Sequence, residues 1–156
     1  MPALPMCARA ALHLWEEPCL SGKTGAGTVF FSGCTLGCVF CQNRSISREN
    51  FGKTMTEDEL YTVFQRLADQ GAACMELVTP TQFTHVLAKV LERPVPGGLP
   101  VVWNSGGYER PKVLRSLENK VDVYLPDLKY VTPSIAARYS GAEDYPEAAK
   151  AAILEM

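Results

Sequence analysis

From residue 28 onward, short apolar runs alternate with stretches in which apolar residues return every three or four positions. Thr28-Val29-Phe30-Phe31-Ser32 is β-branched and aromatic and ends at Gly33, the pattern of a buried strand. Thr56-Glu57-Asp58-Glu59 has the form of a capping box, and Leu60, Val63, Phe64, Leu67 and Ala68 follow on one helical face up to a stop at Gly71. The rhythm repeats with a strand at residues 74–78 and an amphipathic helix carrying Phe83, Val86, Leu87, Val90 and Leu91 before Pro94. A third round has a strand at residues 101–103 and a helix opened by Pro111, with Val113, Leu114 and Leu117 inward. A fourth strand is predicted at residues 121–125, and a last helix near Pro146 with Ala149, Ala152, Ile153 and Met156 on one face. Residues 1–27, broken by Pro2, Pro5, Pro18, Gly22, Gly25 and Gly27, predict an irregular lead-in.

Alternating strands and helices with buried strands define an α/β chain with a parallel sheet and right-handed crossovers. Four β/α units are about half of a TIM-type barrel, which takes about 250 residues for eight. The prediction is a partial TIM-type barrel over residues 28–156 that is truncated before its later strands. A free-standing, four-stranded doubly wound sheet is the alternative. Directly after the four strands come Cys34, Cys38 and Cys41, then Thr79 and Thr81, Asn104 and Ser105, and Asp127 with Lys129. Carboxyl ends of parallel strands form the ligand-binding rim of such folds, so these residues are predicted to share one mouth.

Composition narrows the class further. The chain has 156 residues, 47% hydrophobic and 21% charged, with fifteen basic and seventeen acidic side chains and no run of like charge. Disorder and a polybasic nucleic-acid tail are excluded, and no general field draws in nucleic acid or an anionic membrane. The longest uncharged stretch, residues 24–43, carries four glycines and three cysteines and does not read as a bilayer span. The N-terminus has no basic region followed by an apolar core, so a cytoplasmic, reducing location is the expectation. Half of the six cysteines fall within eight residues, which in that setting points to metal or redox chemistry rather than disulfides.

Cys34-Thr-Leu-Gly-Cys38-Val-Phe-Cys41 puts three thiolates on one short loop. Iron–sulfur clusters are usually held by four, so three leave one iron of a [4Fe-4S] cube open to another ligand. Gly33 and Gly37 allow the backbone to fold tightly there. The rival readings are a zinc site completed by His85 or Cys74, a Cys38/Cys41 dithiol that leaves Cys34 unused, and plain buried cysteines. Gly22-Lys23-Thr24 fails as a phosphate loop, because Glu17 stands where the first glycine belongs and the strand follows instead of preceding. His13 and His85 read as surface or core residues, and Cys7, Cys19 and Cys74 as free thiols.

The pattern C-x3-C-x2-C after a first strand, with Phe40 before its last cysteine, resembles the radical S-adenosylmethionine (SAM) superfamily. The segments His13-Leu-Trp-Glu-Glu-Pro18, Gly27-Thr-Val-Phe-Phe-Ser-Gly-Cys34, Val78-Thr-Pro-Thr81, Tyr124-Leu-Pro-Asp127-Leu-Lys129 and Tyr139-Ser-Gly-Ala-Glu-Asp-Tyr-Pro146 are similar to pyruvate formate-lyase activating enzyme-related proteins. The resemblance implies a partial barrel of about six β/α units and a [4Fe-4S] cluster on Cys34, Cys38 and Cys41. It also implies SAM at the open iron, with cofactor contacts from Phe40, Thr79, Asn104, Asp127 and Lys129. An electron from reduced flavodoxin or ferredoxin would yield a 5'-deoxyadenosyl radical, and the implied substrate is a glycine of a glycyl-radical partner enzyme. A small molecule or RNA as substrate, and a non-catalytic iron–sulfur or zinc module, are the alternatives. Two departures stand out: Val78-Thr-Pro-Thr81 occupies the place of a Gly-Gly-Glu-Pro element, and the cysteine-rich stretch found upstream in relatives is largely missing.

Overall fold

A computed structural model describes residues 4–156. In chain order the elements are β1 (Met6–His13), α1 (Pro18–Ser21), β2 (Ala26–Phe31), α2 (Arg44–Arg48), β3 (Lys53–Thr54), α3 (Glu57–Asp69), β4 (Met75–Val78), α4 (Thr84–Val90), β5 (Val101–Ser105), α5 (Pro111–Leu114), β6 (Val123–Pro126), α6 (Pro133–Ser140) and α7 (Tyr145–Glu155). The six strands form one sheet in the order β3-β1-β2-β4-β5-β6. β2, β4, β5 and β6 run parallel, while β1 is antiparallel to both β2 and β3.

The parallel strands lie side by side in chain order, with no reversal of direction across the sheet. A doubly wound sheet reverses at a switch point, so that alternative is overturned. α3, α4, α5 and α7 gather on one face. Val29, Phe31, Met75, Leu77, Val101 and Trp103 point outward into a core with Leu60, Phe64 and Leu67 of α3, Val86, Leu87 and Val90 of α4, Leu114 of α5 and Ala152 of α7. The other face carries Thr28, Glu76 and Val102 in register. This winding is consistent with a partial barrel, and among the described residues the sheet keeps two edges, β3 and β6.

Residues 6–13 correct the expectation of an irregular lead-in over 1–27. Met-Cys-Ala-Arg-Ala-Ala-Leu-His is alanine-rich and lacks strand-forming side chains, yet it pairs with β2 from Cys7↔Phe31 to His13↔Ala26. Pairing against a buried neighbour overrides weak local preference. Residues 1–3, which include Pro2, lie outside the described residues. The fourth strand starts at Val123 rather than 121, and the helix after Pro111 lasts one turn before tightening into a 3-10 turn over Arg115–Leu117. α6 is a further helix, opened by Pro133 and closed by Gly141 in the left-handed conformation at φ 67°.

Candidate active site

The carboxyl ends of β2, β4, β5 and β6 open on a cleft of about 610 Å³. Cys34, Phe40, Cys38, Cys41, Thr79, Asn104, Asp127 and Lys129 all line it. Residues more than ninety positions apart in sequence meet there because each lies at or just beyond the carboxyl end of a parallel strand of one sheet; β5 runs on to Ser105, so Asn104 belongs to the strand itself. A larger and shallower depression of about 770 Å³ lies at the β1–β3 edge among Arg9, Phe51, Lys53 and Arg66, away from the cysteine loop.

The loop after β2 is held at several points. Gly33 N donates to Ile46 O at 2.9 Å, Gly37 N to Ser140 O at 3.1 Å and Val39 N to Tyr139 O at 2.9 Å. Leu36, 2% exposed, plugs into a small core with Tyr130, Ala136, Ala142, Tyr145 and Ala149. α6 and α7 therefore form the seat of the cysteine loop. Gly37 is closely packed: a Cβ there would displace the Arg48 guanidinium and lie 3.0 Å from the Ser140 carbonyl oxygen.

Each loop sulfur has a polar neighbour. Leu36 N donates to Cys34 Sγ at 3.4 Å, Ser140 Oγ donates to Cys38 Sγ at 2.9 Å, and Ser47 Oγ lies 3.3 Å from Cys41 Sγ. Burial pushes the Cys34 thiol up, the Leu36 amide pulls it down, Cys38 and Cys41 push it further up, and Lys129 pulls it down. Among the described residues, no set of three or more His, Cys, Asp or Glu side chains is gathered around a single-ion position.

The two side chains that would complete a zinc site stand elsewhere. His85 is exposed on α4. Cys74 is buried just before the amino end of β4, opposite the mouth, where burial, then Glu76 and Glu16, push its thiol up to about 11. The three loop sulfurs line one cleft, each beside an N–H or O–H group, the kind of donor that tunes a thiolate-held cluster.

Around the sulfurs the rim is braced by residues that the sequence reading did not single out. Gln82 Nε2 donates to Ser32 O, Gly33 O and Thr79 O at 2.8 to 3.0 Å, joining the start of the cysteine loop to the β4 turn. Thr79 itself has φ 56°, a strained backbone for a β-branched residue, and its N–H donates to Asn104 O at 2.9 Å. Glu76 is fully buried on the cleft side of the sheet. It accepts from Asn104 Nδ2 at 2.8 Å and from Thr28 Oγ1 at 3.2 Å, so the Asn104 amide is fixed from below. Burial pushes the Glu76 carboxyl up, and these two hydrogen bonds only partly oppose it.

Glu109, 6% exposed, ties the second and third rim segments together. It accepts from Thr81 Oγ1 at 2.9 Å, Trp103 Nε1 at 2.8 Å and Ser105 Oγ at 3.0 Å. The hydroxyls of Thr81 and Ser105, predicted at the mouth, are thus engaged inside the protein. At the fourth strand end, Lys129 Nζ lies 2.6 Å from Asp127 Oδ2. Burial pulls the Lys129 ammonium down, but the bond and charge of Asp127 outweigh it and the net shift is upward. Tyr145 OH accepts from Lys129 N at 2.9 Å and reaches Asp127 O at 2.6 Å, fixing the backbone under both charges.

The chain thus joins a singly wound α/β sheet to a three-cysteine loop and a charged pair at the same rim. Residues 28–155 match the model of the Radical SAM superfamily, and the chain belongs to that superfamily. It is also 33% identical over 143 residues to an uncharacterized protein of Methanocaldococcus jannaschii, an alignment covering 86% of this chain and 41% of that protein. The chain therefore spans less than half the length of that relative. A [4Fe-4S] cluster and SAM are typical of the family, and membership supports SAM-cleaving radical chemistry in general terms. No helix among the described residues is long and apolar enough to cross a membrane.

Proposed function

We propose that this chain is the cluster- and SAM-binding part of a radical SAM oxidoreductase of the pyruvate formate-lyase activating enzyme type, working in the cytoplasm. The observation that carries the reading is the meeting of Cys34, Cys38 and Cys41 with Thr79, Asn104, Asp127 and Lys129 in one cleft. Cys34, Cys38 and Cys41 would hold a [4Fe-4S] cluster, and the bound pair of cluster and SAM would supply one-electron cleavage to a 5'-deoxyadenosyl radical. The protein's own share is placement. Asp127 and Lys129 present opposite charges two residues apart, suited to the ammonium and carboxylate of the methionine end of SAM. Asn104 lines the cleft with its amide nitrogen engaged by Glu76, which leaves the side-chain oxygen as the group that could accept from SAM. Phe40, edge-on to Tyr130 with ring centroids 6.2 Å apart, lines the cleft beside Cys41 and offers an exposed aromatic edge to the bound cofactor.

The resemblance at Tyr124–Lys129 and Tyr139–Pro146 supports a glycine of a glycyl-radical enzyme as substrate, with reduced flavodoxin or ferredoxin as electron donor. The test is anaerobic incubation of the reconstituted full-length protein with SAM and dithionite. The expected result is release of 5'-deoxyadenosine and methionine, together with a glycyl radical signal on a co-encoded partner. Deoxyadenosine without a protein radical would move the substrate to a small molecule or RNA. No SAM cleavage would refute the enzyme reading and leave an iron–sulfur module.

A further inference from the structure

The neighbours of the three loop sulfurs differ in kind. Cys34 faces a main-chain amide, and Cys41 faces the half-buried Ser47, whose hydroxyl also lies 3.4 Å from Arg44 O. Cys38 alone faces a buried side-chain hydroxyl, that of Ser140, 6% exposed. Ser140 is in turn bonded to Tyr130, 7% exposed, with the two oxygens 2.7 Å apart.

The proton inventory fixes the direction of this chain. A thiolate ligand has no hydrogen to offer, so the single Ser140 hydroxyl proton must point at Cys38 Sγ. The Ser140 oxygen is then an acceptor, and Tyr130 donates to it. Donation from Tyr130 polarises the Ser140 hydroxyl and strengthens its bond to sulfur. Because both residues are buried, water does not replace the contact when one of them is changed. The anchor is rigid as well: Ser140 ends α6, and its carbonyl accepts from Gly37 N one residue before Cys38.

We propose that the Tyr130–Ser140–Cys38 chain is a positioning and charge-tuning device that raises the reduction potential of the cluster. The proposal rests on the cluster reading above. A hydrogen bond to a ligand sulfur draws negative charge from it and favours the more negative, reduced cluster. α6, which supplies Ser140, would thereby set how readily the donor protein's electron is accepted, although it contributes no ligand.

The test uses the full chain reconstituted anaerobically with iron and sulfide, titrated with dithionite and followed by the electron paramagnetic resonance signal of the reduced cluster. Ser140→Ala is expected to move the midpoint potential to a more negative value at unchanged iron and sulfide content. Ser140→Thr, which keeps the hydroxyl, is expected to stay near wild type. Tyr130→Phe, which leaves the serine donor but removes its polarising partner, is expected to move the potential the same way by a smaller amount. A wild-type potential in Ser140→Ala at equal iron content would overturn the proposal. If Ser140→Ala takes up no iron, Tyr130→Phe decides: a negative shift supports the chain, and a wild-type potential overturns it. Failure of the wild-type protein to assemble a four-iron cluster is a different result, which sinks the cofactor reading itself.

Discussion

Replacing Glu109 by alanine removes one acceptor from three donors at once. Trp103 is fully buried, and among the described residues its indole N–H makes only the 2.8 Å bond to Glu109. A buried donor left without a partner costs about 1–3 kcal/mol, and each hydroxyl of Thr81 and Ser105 that loses its acceptor adds about 0.5–1.5 kcal/mol. The sum is about 2–6 kcal/mol, a large part of the 5–15 kcal/mol typical of a folded domain. At roughly 2–4 °C per kcal/mol for a chain of this size, Tm should fall by on the order of 10 °C. Glu109→Gln keeps an acceptor oxygen but brings an NH2 group against the same donors, so its Tm should lie between the two. Thermal unfolding followed by circular dichroism measures both. SAM affinity should fall with Tm, because Thr81 lies two residues after Thr79 and the knot holds that turn against β5. A Glu109→Ala protein melting within about 2 °C of wild type would refute the argument, since it would show that the three donors find other partners at little cost.

Asp127→Ala and Lys129→Ala should each weaken SAM binding about tenfold or more, with iron content unchanged; loss of iron in both would instead assign the pair a folding role. Glu76 gives a pH dependence with a definite sign. Its folded-state pKa is raised, chiefly by burial, so its contribution to stability is present at low pH and is lost as pH rises through that raised value. The urea midpoint of wild type should therefore drop on the alkaline side relative to Glu76→Gln, and parallel pH profiles would contradict this. Gly37→Ala should cost about 1–3 kcal/mol by crowding the Ser140 carbonyl, and should impair iron uptake by moving Cys38. Wild-type iron content and stability in that variant would show that the loop can shift freely.

What was legible in the sequence is local. The capping box forms as predicted, with Glu59 N donating to Thr56 Oγ1 at 3.2 Å and Thr56 N donating to Glu59 Oε2 at 2.8 Å, because both partners lie within one turn. The cysteine loop is legible for the same reason, its three thiols being fixed by spacing. β1 is not, since nothing in an alanine-rich octet announces a strand until β2 is there to pair with it. α6 carried its signals in Pro133 and Gly141, but its function as the seat of the cysteine loop depends on contacts across about a hundred residues. Glu76 and Glu109 are the plainest failures. A carboxyl group reads as a solvated surface charge, and only the assembled sheet supplies the Thr28, Asn104, Trp103, Ser105 and Thr81 donors that make burial tolerable.

The central claim is that Cys34, Cys38 and Cys41 hold one iron–sulfur cluster. Iron and acid-labile sulfide analysis with Mössbauer spectroscopy on the anaerobically reconstituted protein tests it most directly, with each cysteine replaced in turn by alanine. The account predicts about four irons and four sulfides per chain, as in a single [4Fe-4S] centre, and loss of that centre in all three variants, while Cys74→Ala keeps it. A single zinc in place of iron, or a cluster that survives replacement of any one of the three loop cysteines, would contradict it.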